Sequence, residues 1–183
     1  MKLYMIMVGC RPKGRFTEQH DIFFGIGNSL SELVPQIKSF WPEAKGRIHI
    51  DAWREVNCVD NFKIEIVSKE NEFANASQLY FINLGGYKEN EFEEYHYKIV
   101  TTGTTLAEAT KKAKATSFYK HFGFKGATSH IDDKYGIDVD DIYNIEDILS
   151  PELKEKFALK ITETENAIED KLHIGYLKLE KIG

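Results

Sequence analysis

Apolar residues fall along this chain in two alternating rhythms. A β-type run, Leu3 to Val8, ends at Gly9, and after a polar loop a second apolar run closes at Gly27. From there Leu30, Leu33, Val34, Ile37 and Trp41 recur at helical spacing, so one face of a helix is apolar and seeks a sheet to cover. The same order returns further on. A strand-like run from Leu79 to Leu84 is followed by a second that closes at Gly103, and then by Leu106, Ala109 and Ala113 on one helical face. Ser29-Leu30-Ser31-Glu32 and Thr105-Leu106-Ala107-Glu108 both have the form of capping boxes and mark the two helix starts. Pro35 lies inside the first of these helices and is expected to bend it. Two further strands are expected after each helix, near Arg47 to Val56 and Asn61 to Val67, and near Ala127 to Asp132 and Ile142 to Leu149.

The two halves also agree residue by residue. Set without a gap, Leu3 to Phe40 and Leu79 to Thr116 share eleven identities in thirty-eight positions, where average composition gives about two or three. They include Leu3, Tyr4, Ile6 and Gly9 against Leu79, Tyr80, Ile82 and Gly85, and Glu18 and His20 against Glu94 and His96. Beyond a short insertion, His49-Ile50-Asp51 answers to His130-Ile131-Asp132. The expected fold is therefore α+β: two tandem ββαββ repeats related by a pseudo-twofold axis, each an antiparallel sheet covered by a helix. The expected divisions are a first repeat over 1–67, a linker over 68–78, a second repeat over 79–149, and a C-terminal helix and strand over 150–183. Ser150-Pro151-Glu152 opens that helix. The closing strand Lys171 to Leu177 is similar to the openings of both repeats, and it is expected to complete a sheet at an otherwise open edge.

Charge and composition narrow the functional classes. A formal net charge of -5 and a pI near 5.7 argue against a protein that wraps duplex nucleic acid. No apolar stretch approaches the roughly twenty residues that span a bilayer, and Leu3 to Val8 is too short for a signal segment, so a cytoplasmic protein is expected. Cys10 and Cys58 lack metal-type spacing and read as reduced structural thiols. No cofactor is indicated by a glycine-rich phosphate motif, a nucleophile elbow or a paired Cys-x-x-Cys. Small anionic molecules or protein partners remain as ligands.

The chemistry-bearing residues concentrate in the first copy. Between the first two strands lies a loop in which Arg11 and Arg15 offer the bidentate geometry that grips carboxylate or phosphate. Glu18 and His20, and again His49 and Asp51, are spaced i,i+2, so in extended strands each pair shares a face. Brought together, these four groups could serve as an acid–base cluster or as nitrogen and oxygen ligands to a divalent metal. Because Glu94, His96, His130 and Asp132 repeat the set, the four also read as groups that stabilise the unit itself, and no metal is assigned. What differs between the copies points to function instead: Arg11, Arg15, Asp21 and Trp53 stand where the second copy has Tyr87, Glu91, Tyr97 and Lys134. The candidate ligand-binding residues are accordingly Arg11, Arg15, Glu18, His20, Asp21, His49, Asp51 and Trp53.

Gly9-Cys10-Arg11-Pro12-Lys13-Gly14-Arg15, Thr17-Glu18-Gln19-His20-Asp21 through Gly27, Phe40-Trp41-Pro42-Glu43-Ala44-Lys45-Gly46, and His49-Ile50-Asp51-Ala52-Trp53 together resemble the bacterial family catalogued as domain of unknown function 1543. That resemblance implies a domain used in one or two copies per protein, and it brings no activity, cofactor or catalytic residue. A weaker similarity, in Gly103-Thr104-Thr105-Leu106-Ala107-Glu108-Ala109, is to HicB-like antitoxins. The function expected is a binding module for an anionic small molecule or peptide at the first-copy loop. The alternatives are a metal-dependent or acid–base hydrolase built on the Glu-x-His and His-x-Asp cluster, and an antitoxin-like interaction module.

Overall fold

The computed structural model describes residues 1–71, 73–123, 130–131 and 142–182. In chain order the elements are β1 (Lys2–Cys10), β2 (Gln19–Gly27), α1 (Val34–Phe40), β3 (His49–Glu55), β4 (Cys58–Val59), β5 (Phe62–Ser68), β6 (Gln78–Tyr87) and β7 (Glu94–Gly103). They continue with α2 (Leu106–Lys114), α3 (Ser117–His121), β8 (His130–Ile131), β9 (Ile142–Asn144), α4 (Ile145–Ile148), α5 (Pro151–Lys156), β10 (Phe157–Glu163) and β11 (His173–Lys178). This is a mixed fold of antiparallel sheets with few and short helices. It divides into two compact units, one made of Met1–Phe73 with Leu149–Gly183 and the other of Ala74–Ile148.

In the first unit β1 is the spine of a four-stranded sheet ordered β11-β3-β1-β2. Tyr4, Ile6 and Val8 project from one face of β1 and pack with Ile50, Leu33 and Ile37, so the apolar stripe read from the sequence does cover the sheet. A second sheet, β10-β5-β4, buries Ile64, Leu159 and Ile161. The strand β10 was not anticipated: the segment after Ser150 reads as one helix, but α5 is six residues long and Phe157 begins an alternating run that pairs with β5. The C-terminal β11 pairs antiparallel with β3 and forms one edge of the first sheet.

In the second unit β6 is flanked by β7 on one side and by β8 and β9 on the other. Tyr80, Ile82 and Leu84 meet Ala109 and Ala113 of α2. The ladder registers of the two units correspond. Lys2 faces Gly27 and Gln78 faces Gly103, while Gly9 lies between His20 and His49 as Gly85 lies between His96 and His130.

Local expectations are corrected at five places. Pro35 does not bend a long helix, because a 3-10 turn over Ser31–Leu33 precedes α1 and leaves Pro35 in the first helical turn, where its missing N–H has no partner to lose. Ser29 makes no cap: its Oγ lies 2.9 Å from Ser31 Oγ, and Glu32 accepts from the Asn28 amide at 2.8 Å instead. In the second unit Thr105 Oγ1 does accept from the Glu108 amide at 3.2 Å, but Glu108 reaches back to Thr104 rather than to Thr105. Ile142 to Leu149 is not one strand, since Asn144 Oδ1 accepts from the Glu146 amide and turns the chain into α4. Leu106, at the first position of α2, is 44% exposed and does not join the buried Ala109 and Ala113. The expected strand from Ala127 to Asp132 is described only at His130–Ile131.

Candidate functional site

The site forms where three strands run side by side. Gly9 near the end of β1 is paired with His20 of β2 and with His49 of β3, which puts both imidazoles on the sheet face opposite the α1-packed core. Between Met7 and Val8 the β1–β3 register shifts, so Asp51 is the extra residue of a bulge and its carboxylate is re-aimed toward the same place. Glu18 enters from the loop just ahead of β2.

The four side chains converge. His20 Nε2 lies 3.7 Å from Glu18 Oε2 and 3.3 Å from Asp51 Oδ2; His49 Nε2 lies 3.1 Å from Glu18 Oε1 and 3.3 Å from the same Asp51 Oδ2. Gly9 makes this approach feasible. A Cβ at that position would stand 2.4 Å from His49 Nε2 and 2.5 Å from Asp51 Oδ2, so the space a side chain would take is filled by the cluster.

Burial is uneven across the four. The side chain of His49 is 9% exposed and that of Asp51 21%, whereas Glu18 and His20 are 44% and 43% exposed. His49 Nε2 and Asp51 Oδ2 are both shielded from solvent and neither has a hydrogen-bond partner. Their distances to neighbouring groups are within bonding range, so it is direction that fails. Leaving a buried donor or acceptor unsatisfied costs about 1–3 kcal/mol, so the two atoms mark this place as a candidate site.

The remaining candidates are placed differently. Arg11 and Arg15 are exposed on the loop that leads from Cys10 to Glu18, and neither guanidinium forms an ion pair with a described residue. Gly14, at φ 86°, gives this loop its turn. Asp21 pairs with Val8 and so projects on the other face of β2; its Oδ1 accepts from the Ile22 amide at 2.7 Å. Trp53 is likewise turned away: it pairs with Ile6, packs against the core and stacks on His173 at 3.9 Å with parallel rings. Among the second-copy counterparts, Glu94 accepts from Tyr87 at 2.5 Å, His130 lies in β8, and Asp132 and Lys134 lie outside the described residues. Cys10 takes no part, because burial pushes its thiol up and keeps it protonated.

Tyr176 belongs to the site although nothing nearby in sequence announces it. The β11–β3 register shifts between Ile174 and Leu177, with Gly175 at φ 140°, and this second bulge lays the Tyr176 ring 4.3 Å from that of His49. The signal available was the glycine interrupting an apolar strand. Its spatial partner is more than a hundred residues upstream.

The fold and these residues define an α/β-type domain of antiparallel sheets with a polar cluster on one sheet face. Residues 15–66, which include Glu18, His20, His49, Asp51 and Trp53, match the family model described as Domain of Unknown Function (DUF1543). This bears out the resemblance drawn from the sequence motifs. Among solved structures, the chain is similar to the crystal structure of protein Il1583 from Idiomarina loihiensis, with 23% identity, a TM-score of 0.59 and 98% of each chain covered. At that identity the likeness concerns the fold alone. No curated protein matches the chain, and no helix among the described residues is long and apolar enough to cross a membrane.

Proposed function

We propose that the chain is a tandem duplication of one α+β unit whose first copy binds an anionic small molecule and is equipped to hydrolyse it. The observation that carries this reading is the meeting of Glu18, His20, His49 and Asp51 over Gly9, with every imidazole–carboxylate approach between 3.1 and 3.7 Å. An imidazole oriented by a carboxylate can accept a proton from a reacting group and return it. His20, the more exposed of the two, is the group that reaches a ligand, and His49 with Asp51 forms the floor. Arg11 and Arg15, on the loop that runs into Glu18, supply the charge that draws in a carboxylate or phosphate.

The comparison of the copies supports assigning the anion to the first unit. Where it has Arg11 and Arg15 the second has Tyr87 and Glu91, and the Tyr87 hydroxyl is bonded to Glu94, the counterpart of Glu18. The test is a thermal-shift screen with anionic metabolites and chromogenic phosphate and carboxylate esters, run on the parent, on Arg11→Ala with Arg15→Ala, and on His20→Ala. The arginine variants should lose ligand-induced stabilisation while keeping the parent's ligand-free melting temperature, and His20→Ala should lose turnover. Equal binding and turnover by all three would place the site elsewhere.

A further inference from the structure

The first two strands of each copy are joined by a hairpin loop, and the two loops are built alike. In the loop between β1 and β2 the Arg15 amide donates to the Pro12 carbonyl at 3.2 Å, and Gly14 has φ 86°. In the loop between β6 and β7 the equivalent Glu91 amide donates to the Lys88 carbonyl at 3.3 Å, and Asn90 has φ 65°. Each turn is followed by a phenylalanine, Phe16 or Phe92, whose ring is fully exposed. A single exposed apolar side chain needs no explanation. Here the ring is kept at the same place twice: it is the only identity between residues 11–17 and 87–93, and no described residue covers it in either loop.

Around the two rings the charge is reversed. Lys13 and Arg15 of the first loop stand where the second has Glu89 and Glu91, and Thr17 stands where it has Glu93. All six are exposed. Residues 11–17 hold Arg11, Lys13 and Arg15 and no acid, whereas residues 88–93 hold three glutamates against Lys88. Lys88 lies 3.8 Å from Glu91, which also accepts from the Tyr95 hydroxyl, while Glu89 and Glu93 form no ion pair with a described residue.

We propose that these loops are the two halves of a self-association contact, in which the basic Phe16 loop of one copy of this chain meets the acidic Phe92 loop of a second copy. Two loops of one shape and one charge repel each other. Inverting the charge at matched positions turns that repulsion into attraction and leaves the aromatic anchor at the centre with charged groups at the rim. Because every copy carries one loop of each kind, a reciprocal pair engages all four loops. The contact uses far fewer residues than the about 20–30 a side of a standard interface, so the association is weak, and its exposed charges make it sensitive to salt.

This contact lies beyond the function proposed above. It rests on Lys13, Phe16, Glu89 and Phe92, which that reading does not assign, and shares with it only the loop arginines. The test is sedimentation velocity of the full-length chain, with no anionic ligand present, over a concentration series in low and in high sodium chloride. The parent's sedimentation coefficient should rise with concentration in low salt and return to the monomer value in high salt. Lys13→Glu with Arg15→Glu makes both loops acidic, and Glu89→Lys with Glu91→Lys makes both basic. Each of these variants should keep the parent's circular dichroism and stay monomeric alone, and an equimolar mixture of the two should associate again. Phe16→Ser, which leaves every charge in place, should weaken association by about tenfold or more. A parent that stays monomeric throughout, charge variants that associate alone as the parent does, a mixture that stays monomeric, or parent-like association by Phe16→Ser overturns the inference. A protein that self-associates in this way but binds no anion would retain the contact and remove the anion-binding reading instead.

Discussion

Adding one methyl group to Gly9 is the sharpest perturbation available for the site. In Gly9→Ala the new Cβ would lie 2.4 Å from His49 Nε2 and 2.5 Å from Asp51 Oδ2, where ordinary contact begins at 3.4 Å. The two groups must therefore retreat by about 1.0 and 0.9 Å, the differences between those distances. Displacing a site group by about 1 Å can cost about 100-fold in rate, so the turnover proposed for this cluster should fall by about that factor. Stability should change far less. Both clashing atoms are far ends of side chains, whose displacement off a rotamer minimum costs about 0.5–1.5 kcal/mol each. Replacing glycine within a strand returns about 0.5–1 kcal/mol of that. The net loss is then about 0–2.5 kcal/mol, a shift of a few degrees in melting temperature for a chain of this size. Turnover of the chromogenic esters beside a circular-dichroism melt reads both quantities. A Gly9→Ala protein that turns over the esters as fast as the parent would show that the space above Gly9 is not where the four groups act.

Further expectations concern the fold. Thr105→Ala removes the hydroxyl that accepts from the Glu108 amide and should destabilise the protein by about 1 kcal/mol in chemical denaturation, whereas Ser29→Ala, which removes no cap, should stay within about 0.5 kcal/mol. Ile82→Ala opens a cavity in the small core of the second unit, where Ile82 is fully buried among Tyr80, Leu84, Ala109 and Ala113, and should cost about 2–5 kcal/mol. The hydrogen bond from Lys2 holds the Glu55 carboxyl below its usual range, so the folded chain protonates it less readily than the unfolded chain does. Its contribution is present above the ordinary carboxylate value of 4.5 and is lost as pH falls through the depressed one. The gap in melting temperature between the parent and Glu55→Gln should therefore hold steady from neutral pH and close below it; a gap that widened in acid would refute the assignment.

The parts of this molecule that were legible in the sequence are those governed by short-range periodicity. Alternation in Leu3 to Val8 and the three-and-four spacing of Leu33 and Ile37 mark a strand and a helix face, and both are buried together. The i,i+2 pairs Glu18/His20 and His49/Asp51 could be read as sharing faces, but the reason they meet could not. His20 and His49 are on strands that do not touch each other; they flank β1, and only the absence of a side chain at Gly9 lets them close. Divergence between the copies also singled out Asp21 and Trp53, which project from the face opposite the cluster. The strand β10 and the placement of Tyr176 depend on pairings across most of the chain length, and no local pattern encodes a partner at that distance.

Two bulges and one glycine thus convert an ordinary sheet face into a candidate site. A regular β3 would alternate His49 and Asp51 against β1 in step, setting the carboxylate one pair further along; the shift between Met7 and Val8 pulls it back over Gly9. A regular β11 would carry Tyr176 past His49, and the left-handed turn at Gly175 returns it. The second unit keeps the glycine and both histidines in register, so this framework does not by itself require the first unit's chemistry. What distinguishes the first unit is its loop, in which arginines stand where tyrosine and glutamate stand in the other. Stability alone gives no reason for two solvent-exposed guanidinium groups on the loop that leads into Glu18, nor for the buried, unsatisfied nitrogen and oxygen of His49 and Asp51. A charged ligand does.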